Sequence, residues 1–384
     1  MLGLCICYYN YNYGSMLQAY ATIKEMEKRN ISYQIVGYQK EKTIPFLVKN
    51  AFRIFNKTWL SEKKLVIQKK ISCKLNKKYA ENMKVRNRYF LDFKNEFFEP
   101  NVRLCKGYRE LEEAANDYEA VLVGSDQMWS PSGLATNFYN LMFVPQNVRK
   151  ISYASSFGVS KIPVYQKKRT RQYLNRIEYL SVRENSAAEI VKELTGRFAK
   201  VAVDPTMLLS KEEWDEFSGD AKVVKDKYIF AYFLGTNKKH RDEVKKLKEA
   251  TGLKIVTLRH LDEFVADDED FGDLAPYRIG PKEFINLIKN AEYVCTDSFH
   301  GSVFSSLFQK QFMTFSRYDE NALVSKNSRI ISLLQNLGLE QRHFVGGNIV
   351  DQITKTIDYT SVEHRRKHMI DSSKQFLNEA LKMK

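Results

Sequence analysis

The stretch TDSFHG, residues 296–301, sets one of only six histidines between a phenylalanine and a glycine. Imidazole changes charge near neutral pH, so His300 is suited to moving a proton. Three other short stretches carry groups that could work beside it. YNYNYGSMLQAYA (9–21) places Asn12, Tyr13 and Gly14 just before a helix-like run, where backbone N–H groups favour an anion or a sugar hydroxyl. VGSDQMW (123–129) joins Ser125, Asp126 and Gln127 to Trp129. Polar groups beside an aromatic face suit a sugar, but a capping Asp and a core Trp would look the same. SVRE (181–184) sets Arg183 beside Glu184, either an anion clamp or a structural ion pair. SYASSFG (152–158) adds a rim of hydroxyls.

Each of these stretches falls where a strand should hand over to a helix. AEYVC (291–295) reads as a short buried strand, and SVFSSLF (302–308) has helical apolar spacing. Strand-like runs LGLCICY, SYQIVGY, EAVLVGSD, KISYASSFG, EYLSVRE and KVAVDPT alternate with helical ones over the first half of the chain. A second series, KYIFAYFLG, LKIVTLRH, AEYVC and KQFMTFS, begins near residue 227. The pattern predicts an α/β protein of two doubly wound, Rossmann-like domains facing across a cleft. Ligands bind at the carboxyl ends of such sheets. The expected division is 1–206, the N-terminal domain with a basic helical insert at about 40–100, then 207–360, and a terminal helix over 361–384.

A chain of 384 residues is too long for one ordinary core. No apolar run is long enough to cross a membrane, and MLGLCICYY reads as a first strand rather than a signal peptide. Five cysteines without a CxxC pair argue against a disulfide framework or a zinc site and point to a reducing cytoplasm. No GxxxxGK[ST], GxGxxG or HExxH is present, so no cofactor or metal is expected. DDED (267–270) reads as a solvated acidic loop, with the acidic metal motif of some glycosyltransferases as the alternative. The net charge of +15 is concentrated: residues 40–90 hold fifteen Lys or Arg against three acids. Such a field attracts anions. Within it PFLVKNAFRIFNKTWL (45–60) spaces Val48, Phe52, Phe55 and Trp59 along one helical face, the pattern of a basic amphipathic helix on an anionic membrane surface. A helix packed on its own domain is the alternative. No nucleic-acid module is visible.

NYGSMLQAYA, VGSDQMW, YASSFG, SVRE, DPTMLL, TDSFHG and NSRIISLLQNLGL occur in this order over most of the chain. As an ordered set they resemble the polysaccharide pyruvyl transferase family. The resemblance implies a GT-B-like fold and transfer of pyruvate from phosphoenolpyruvate to a sugar as a ketal, with an acceptor often carried on a lipid pyrophosphate at the inner membrane face. It implies a cytoplasmic, peripheral enzyme. His300 matches the family's histidine, and Arg183 one of its arginines. Gly301 follows in the same motif. Many members carry Arg two residues before the histidine; here that position is Ser298. A further cationic position matches Arg329, with Lys326 close by. On this reading His300 is the general acid or a phosphate ligand, and Asp126 or Glu184 is the base. Two other readings compete: a GT-B glycosyltransferase using a nucleotide sugar, and a non-catalytic binder of anionic glycans.

Overall fold

The computed structural model describes residues 1–41, 67, 71–131, 137–260, 264–318 and 327–382. The predicted amphipathic helix at 45–60 and Lys326 lie outside them. Seven parallel strands form the first sheet, in the order β3-β2-β1-β4-β5-β6-β7. They are β1 (Leu2–Cys5), β2 (Tyr33–Gln39), β3 (Val102–Lys106), β4 (Ala120–Val123), β5 (Arg149–Ser155), β6 (Tyr179–Val182) and β7 (Lys200–Val201). The second sheet is β8 (Tyr228–Tyr232), β9 (Lys254–Thr257), β10 (Tyr293–Thr296), β11 (Gln311–Phe315) and β12 (His343–Phe344), ordered β12-β11-β10-β8-β9 and again parallel.

Strand order decides where a ligand can sit. In the first sheet the direction of winding reverses between β1 and β4, so the loops after those strands diverge and leave a crevice. Those loops are Ile6–Asn12 and Gly124–Gln127. In the second sheet the reversal falls between β8 and β10, whose loops carry Leu234 and Asp297–Ser298. The stretches singled out for their chemistry end strands at these two switch points or beside them.

The lobes share one core. Helix α1 (Tyr13–Lys28) is buried over nearly its whole length, because it leaves the first sheet and packs against the second lobe. Tyr13 stacks on Phe284, ring centroids 4.7 Å apart at 4°, and its hydroxyl donates to the Ile279 carbonyl. The insert contributes α2 (Lys77–Phe97), capped by Asn76, whose carboxamide oxygen accepts the Tyr79 N–H. The apolar face of α2 carries Phe90 onto Tyr11 and Tyr13, while Arg86 donates to the Arg259 carbonyl of the second lobe. This part of the basic insert is therefore a strap across the lobes. The final helix, Tyr359–Ala380, crosses back: Arg366 donates to the Ser306 carbonyl of the second lobe, and Ser373 accepts the Val203 N–H of the first.

Candidate active site

His300 stands in the first turn of α3 (Phe299–Leu307), at the carboxyl end of β10. Ser298 caps this helix, accepting the Gly301 N–H at 3.2 Å. Gly301 is required by space, because a Cβ there would lie 2.7 Å from Thr296 Oγ1. Ser298 and Gly301, expected as substrate contacts, thus shape the turn that aims His300. Asp297 also works within the fold, accepting the Leu234 and Gly235 N–H groups at 2.6 and 2.8 Å.

The imidazole points out of its own lobe. Its Nδ1 lies against Gly14, so closely that a Cβ on Gly14 would come within 1.9 Å. Its Nε2 faces Asp204 Oδ2 at 3.5 Å, near enough to feel the charge and long for a hydrogen bond. Asp204 lies just past β7, where Pro205 opens a short turn that the Asp side chain caps. It is fully buried and heavily bonded. Oδ2 accepts Arg183 Nη1 and Ser125 Oγ, both at 2.7 Å, and Oδ1 accepts Thr206 N and Oγ1. Burial alone would raise its pKa. His300, Arg183 and Ser125 overcome that and hold the carboxyl well below the ordinary range.

Arg183, at the end of β6, spans the lobes by stacking its guanidinium on the Phe299 ring, Cζ 4.4 Å from the centroid. Burial works against its charge; Asp204, Asp126 and Glu184 more than restore it. Asp126 lies 3.8 Å from Arg183 Nη2 and accepts the Ser15 hydroxyl at 2.6 Å. Its φ of 78° is unusual for a residue with a side chain, and the strained turn is what brings that carboxylate to the crevice. Burial again opposes ionisation, and Arg183 and His300 keep the group ionised below its usual pKa. Glu184 is buried, accepts the Ser156 hydroxyl at 2.8 Å, and leaves Oε2 without a partner. Arg329, in the helix Ser328–Leu337, is pushed down to about 10 by burial and by Arg183, while Asp126 and Glu184 pull the other way; it remains a cation at neutral pH.

The residues brought together are His300, Arg183, Asp126, Glu184, Ser125 and Arg329, with Gly14 as the fitted surface beneath the imidazole. Three expectations are corrected. Trp129 is no sugar platform: it is fully buried against Phe157 and Tyr173, and its indole N–H donates to the Tyr139 carbonyl. Tyr13 belongs to the seam between the lobes. DDED is not a solvated loop throughout, since Asp268 is buried and paired with Arg241 at 2.6 Å. Asn12 caps α1 through the Ser15 N–H. Gln127 lies at the β4 end beside Gly158. Sequence reasoning missed Asp204 and Ser15. Asp204 had a signal, an Asp–Pro at a strand end within DPTMLL; Ser15 had none beyond following Gly14. No group of three metal-ligating side chains occurs among the described residues.

The buried donors without protein acceptors mark what the site can hold. They are Arg183 Nε and Nη2, Arg329 Nε and His300 Nε2. Buried polar groups are ordinarily satisfied, so guanidinium N–H groups left free near one another fit a ligand rich in anionic oxygen.

Residues 12–319 match the sequence model of the polysaccharide pyruvyl transferase family. No curated protein matches the chain. Among solved structures, UDP-GlcNAc 2-epimerase from Neisseria meningitidis bound to UDP-GlcNAc superposes with a TM-score of 0.51 at 11% identity, covering 99% of each chain. The UDP-GlcNAc 2-epimerase of Methanocaldococcus jannaschii in complex with UDP-GlcNAc and UDP gives 0.51 at 14% identity, covering 98% of each. At such identities the likeness is one of fold, and the fold is GT-B-like.

Proposed function

Because this chain belongs to the polysaccharide pyruvyl transferase family, we propose that it transfers the three-carbon unit of phosphoenolpyruvate to two hydroxyls of one sugar, forming a ketal and releasing phosphate. The observation that carries the reading is the set of buried N–H donors on Arg183, Arg329 and His300 that meet no protein acceptor. Phosphoenolpyruvate offers them a phosphate and a carboxylate, and guanidinium groups grip both in bidentate fashion.

The reaction needs a proton on the methylene carbon, which becomes a methyl group and leaves C2 electrophilic. His300 supplies that proton. Asp204, facing Nε2 and bound to Arg183, positions both groups. One sugar hydroxyl attacks C2 and loses its proton to Asp126 or Glu184; phosphate then departs with the C–O bonding pair and takes up that proton, and a second hydroxyl closes the ring, its proton returning to the neutral imidazole of His300. Arg183 and Arg329 stabilise charge gathering on the leaving phosphate. Ser298 cannot contribute a charge where many relatives have Arg. Arg317 is close enough to depress the Arg329 pKa further and adds a positive charge beside it. Every step is served by side chains of the chain itself.

A lipid-linked acceptor fits the basic segment at 40–90, which would hold a peripheral enzyme at an anionic membrane surface. Among the described residues no helix is long and apolar enough to cross a membrane.

The test is His300→Gln with phosphoenolpyruvate and candidate sugar acceptors. As the general acid, His300 is worth about 100-fold or more in kcat, while thermal stabilisation by phosphoenolpyruvate persists. A variant that loses donor affinity and keeps its kcat makes the imidazole a ligand only.

A further inference from the structure

Arg86 is a charge the proposed reaction does not use. It sits in the middle of α2, fully buried. Nη1 donates to the Arg259 carbonyl at 2.6 Å, and the guanidinium lies on the Tyr277 ring, Cζ 4.7 Å from the centroid. Nε and Nη2 have no acceptor. Arg86 joins no ion pair among the described residues, and the acids around Tyr277 and Tyr13 are engaged elsewhere: Glu269 faces Arg259 at 3.8 Å and Glu283 accepts the Gly280 N–H at 2.9 Å. A buried cation without an anion is costly, commonly by several kcal/mol.

Its location gives the charge a purpose. Arg259 lies two residues beyond β9, at the carboxyl edge of the second sheet. The next residue, His260, meets the Leu234 carbonyl through Nε2 at 2.6 Å, and the Leu234 N–H is held by Asp297. The strand order β10-β8-β9 puts Arg259, whose carbonyl Arg86 holds, beyond a strand two places from the one that leads into His300, a lateral offset of about 10 Å at the usual strand spacing. Arg259 is itself anchored, donating to the Phe271 and Glu269 carbonyls at 3.0 Å, so it adds fixed positive charge. Tyr277 covers Arg86 from residues 275–280, a stretch without helix or strand, and is only half-buried. Turning that ring aside uncovers one face of the guanidinium.

We propose that Arg86, Arg259 and Tyr277 form a second anion site, built for a phosphate or diphosphate group, at the edge of the interlobe cleft. Two free N–H donors on one guanidinium match two oxygens of such a group. The carrier of that group, an acceptor linked through a diphosphate, rests on the proposed reaction; the anion site itself does not.

The test is thermal unfolding with inorganic pyrophosphate, with and without saturating phosphoenolpyruvate, on wild type, Arg86→Met, Arg86→Lys and His300→Gln. Without ligand, Arg86→Met is expected to melt about 2 °C or more above wild type, since it removes an unpaired buried charge. With phosphoenolpyruvate bound, pyrophosphate should still raise the Tm of wild type and His300→Gln, raise Arg86→Lys less, and leave Arg86→Met unmoved. Equal pyrophosphate shifts in wild type and Arg86→Met overturn the site, as does an unliganded Arg86→Met that melts lower. If phosphoenolpyruvate gives no stabilisation while the Arg86-dependent shift remains, the proposed donor fails and the anion site stands. Geranyl diphosphate and UDP identify the source: a shift with geranyl diphosphate above that of pyrophosphate assigns the group to a prenyl-linked acceptor, and one with UDP assigns it to a nucleotide.

Discussion

Replacing Gly14 by Ala is a small change with a large calculated consequence. The added Cβ would lie 1.9 Å from His300 Nδ1, 2.5 Å from Cγ and 2.7 Å from Cε1. Ordinary contact needs about 3.5 Å, so the imidazole must retreat by about 1.5 Å or the first turn of α1 must shift. The helix resists, because Asn12 caps it, Tyr13 is stacked on Phe284 and α1 is buried on both faces. The ring therefore moves, out of its place between Gly14 and Asp204. A misplacement of about 1 Å at a reacting group costs on the order of 100-fold in rate. Stability should change little, since Ala is the better helix former by about 1 kcal/mol and offsets part of the strain. Donor binding should survive, because Arg183 and Arg329 are untouched. The assay is phosphate release for kcat, with phosphoenolpyruvate-induced thermal stabilisation for binding. A Gly14→Ala enzyme within tenfold of the wild-type kcat would refute the reasoning, because the fitted contact would then have no part in aiming His300.

Asp204→Asn keeps the shape and removes the charge. It takes from Arg183 its carboxylate at 2.7 Å, leaving Asp126 at 3.8 Å, and should cost about 3 kcal/mol at neutral pH, read as a lower denaturation midpoint. Because the folded pKa of Asp204 is depressed, its contribution is complete above the ordinary carboxylate value near 3.9 and is lost as pH falls toward the folded value. The gap between variant and wild type should therefore narrow in acid below about pH 4; a gap independent of pH would point to shape rather than charge. Tyr13→Ala removes a ring from the seam between the lobes and should cost about 3–5 kcal/mol, with a larger loss of kcat than of donor affinity, since each lobe keeps its own residues while their alignment loosens. Unchanged stability in that variant would mean the lobes do not depend on the shared core.

The strands were legible because buried parallel strands are short apolar runs with polar ends, and most sat within two or three residues of their runs. β3 escaped notice: VRLCK is exposed at alternate positions on a sheet edge and lies beyond the basic insert. The site was legible where a motif joined chemistry to a strand end, as with His300, Arg183 and Asp126. It was misread where a residue serves tertiary packing that sequence spacing cannot reveal. Trp129 comes two residues after the polar run Ser125–Gln127, yet the chain turns there and buries the ring. Tyr13 sits in a polar-looking loop, yet its partner Phe284 is far away in sequence. Asp204 was overlooked because its importance comes from three chain-distant neighbours, Arg183, Ser125 and His300, that only folding assembles. The strap formed by α2 was hidden by its charge, since the lysines and arginines of 77–88 drew attention away from Met83, Phe90 and Phe93, which face the core.

The most direct measurement follows the methylene carbon. With phosphoenolpyruvate and an accepted sugar in heavy water, the account predicts phosphate release matched by a ketal whose new methyl group carries deuterium from solvent, at a rate that collapses in His300→Gln. A product that keeps the original methylene with no deuterium, or a His300→Gln enzyme that deuterates as fast as wild type, would contradict it.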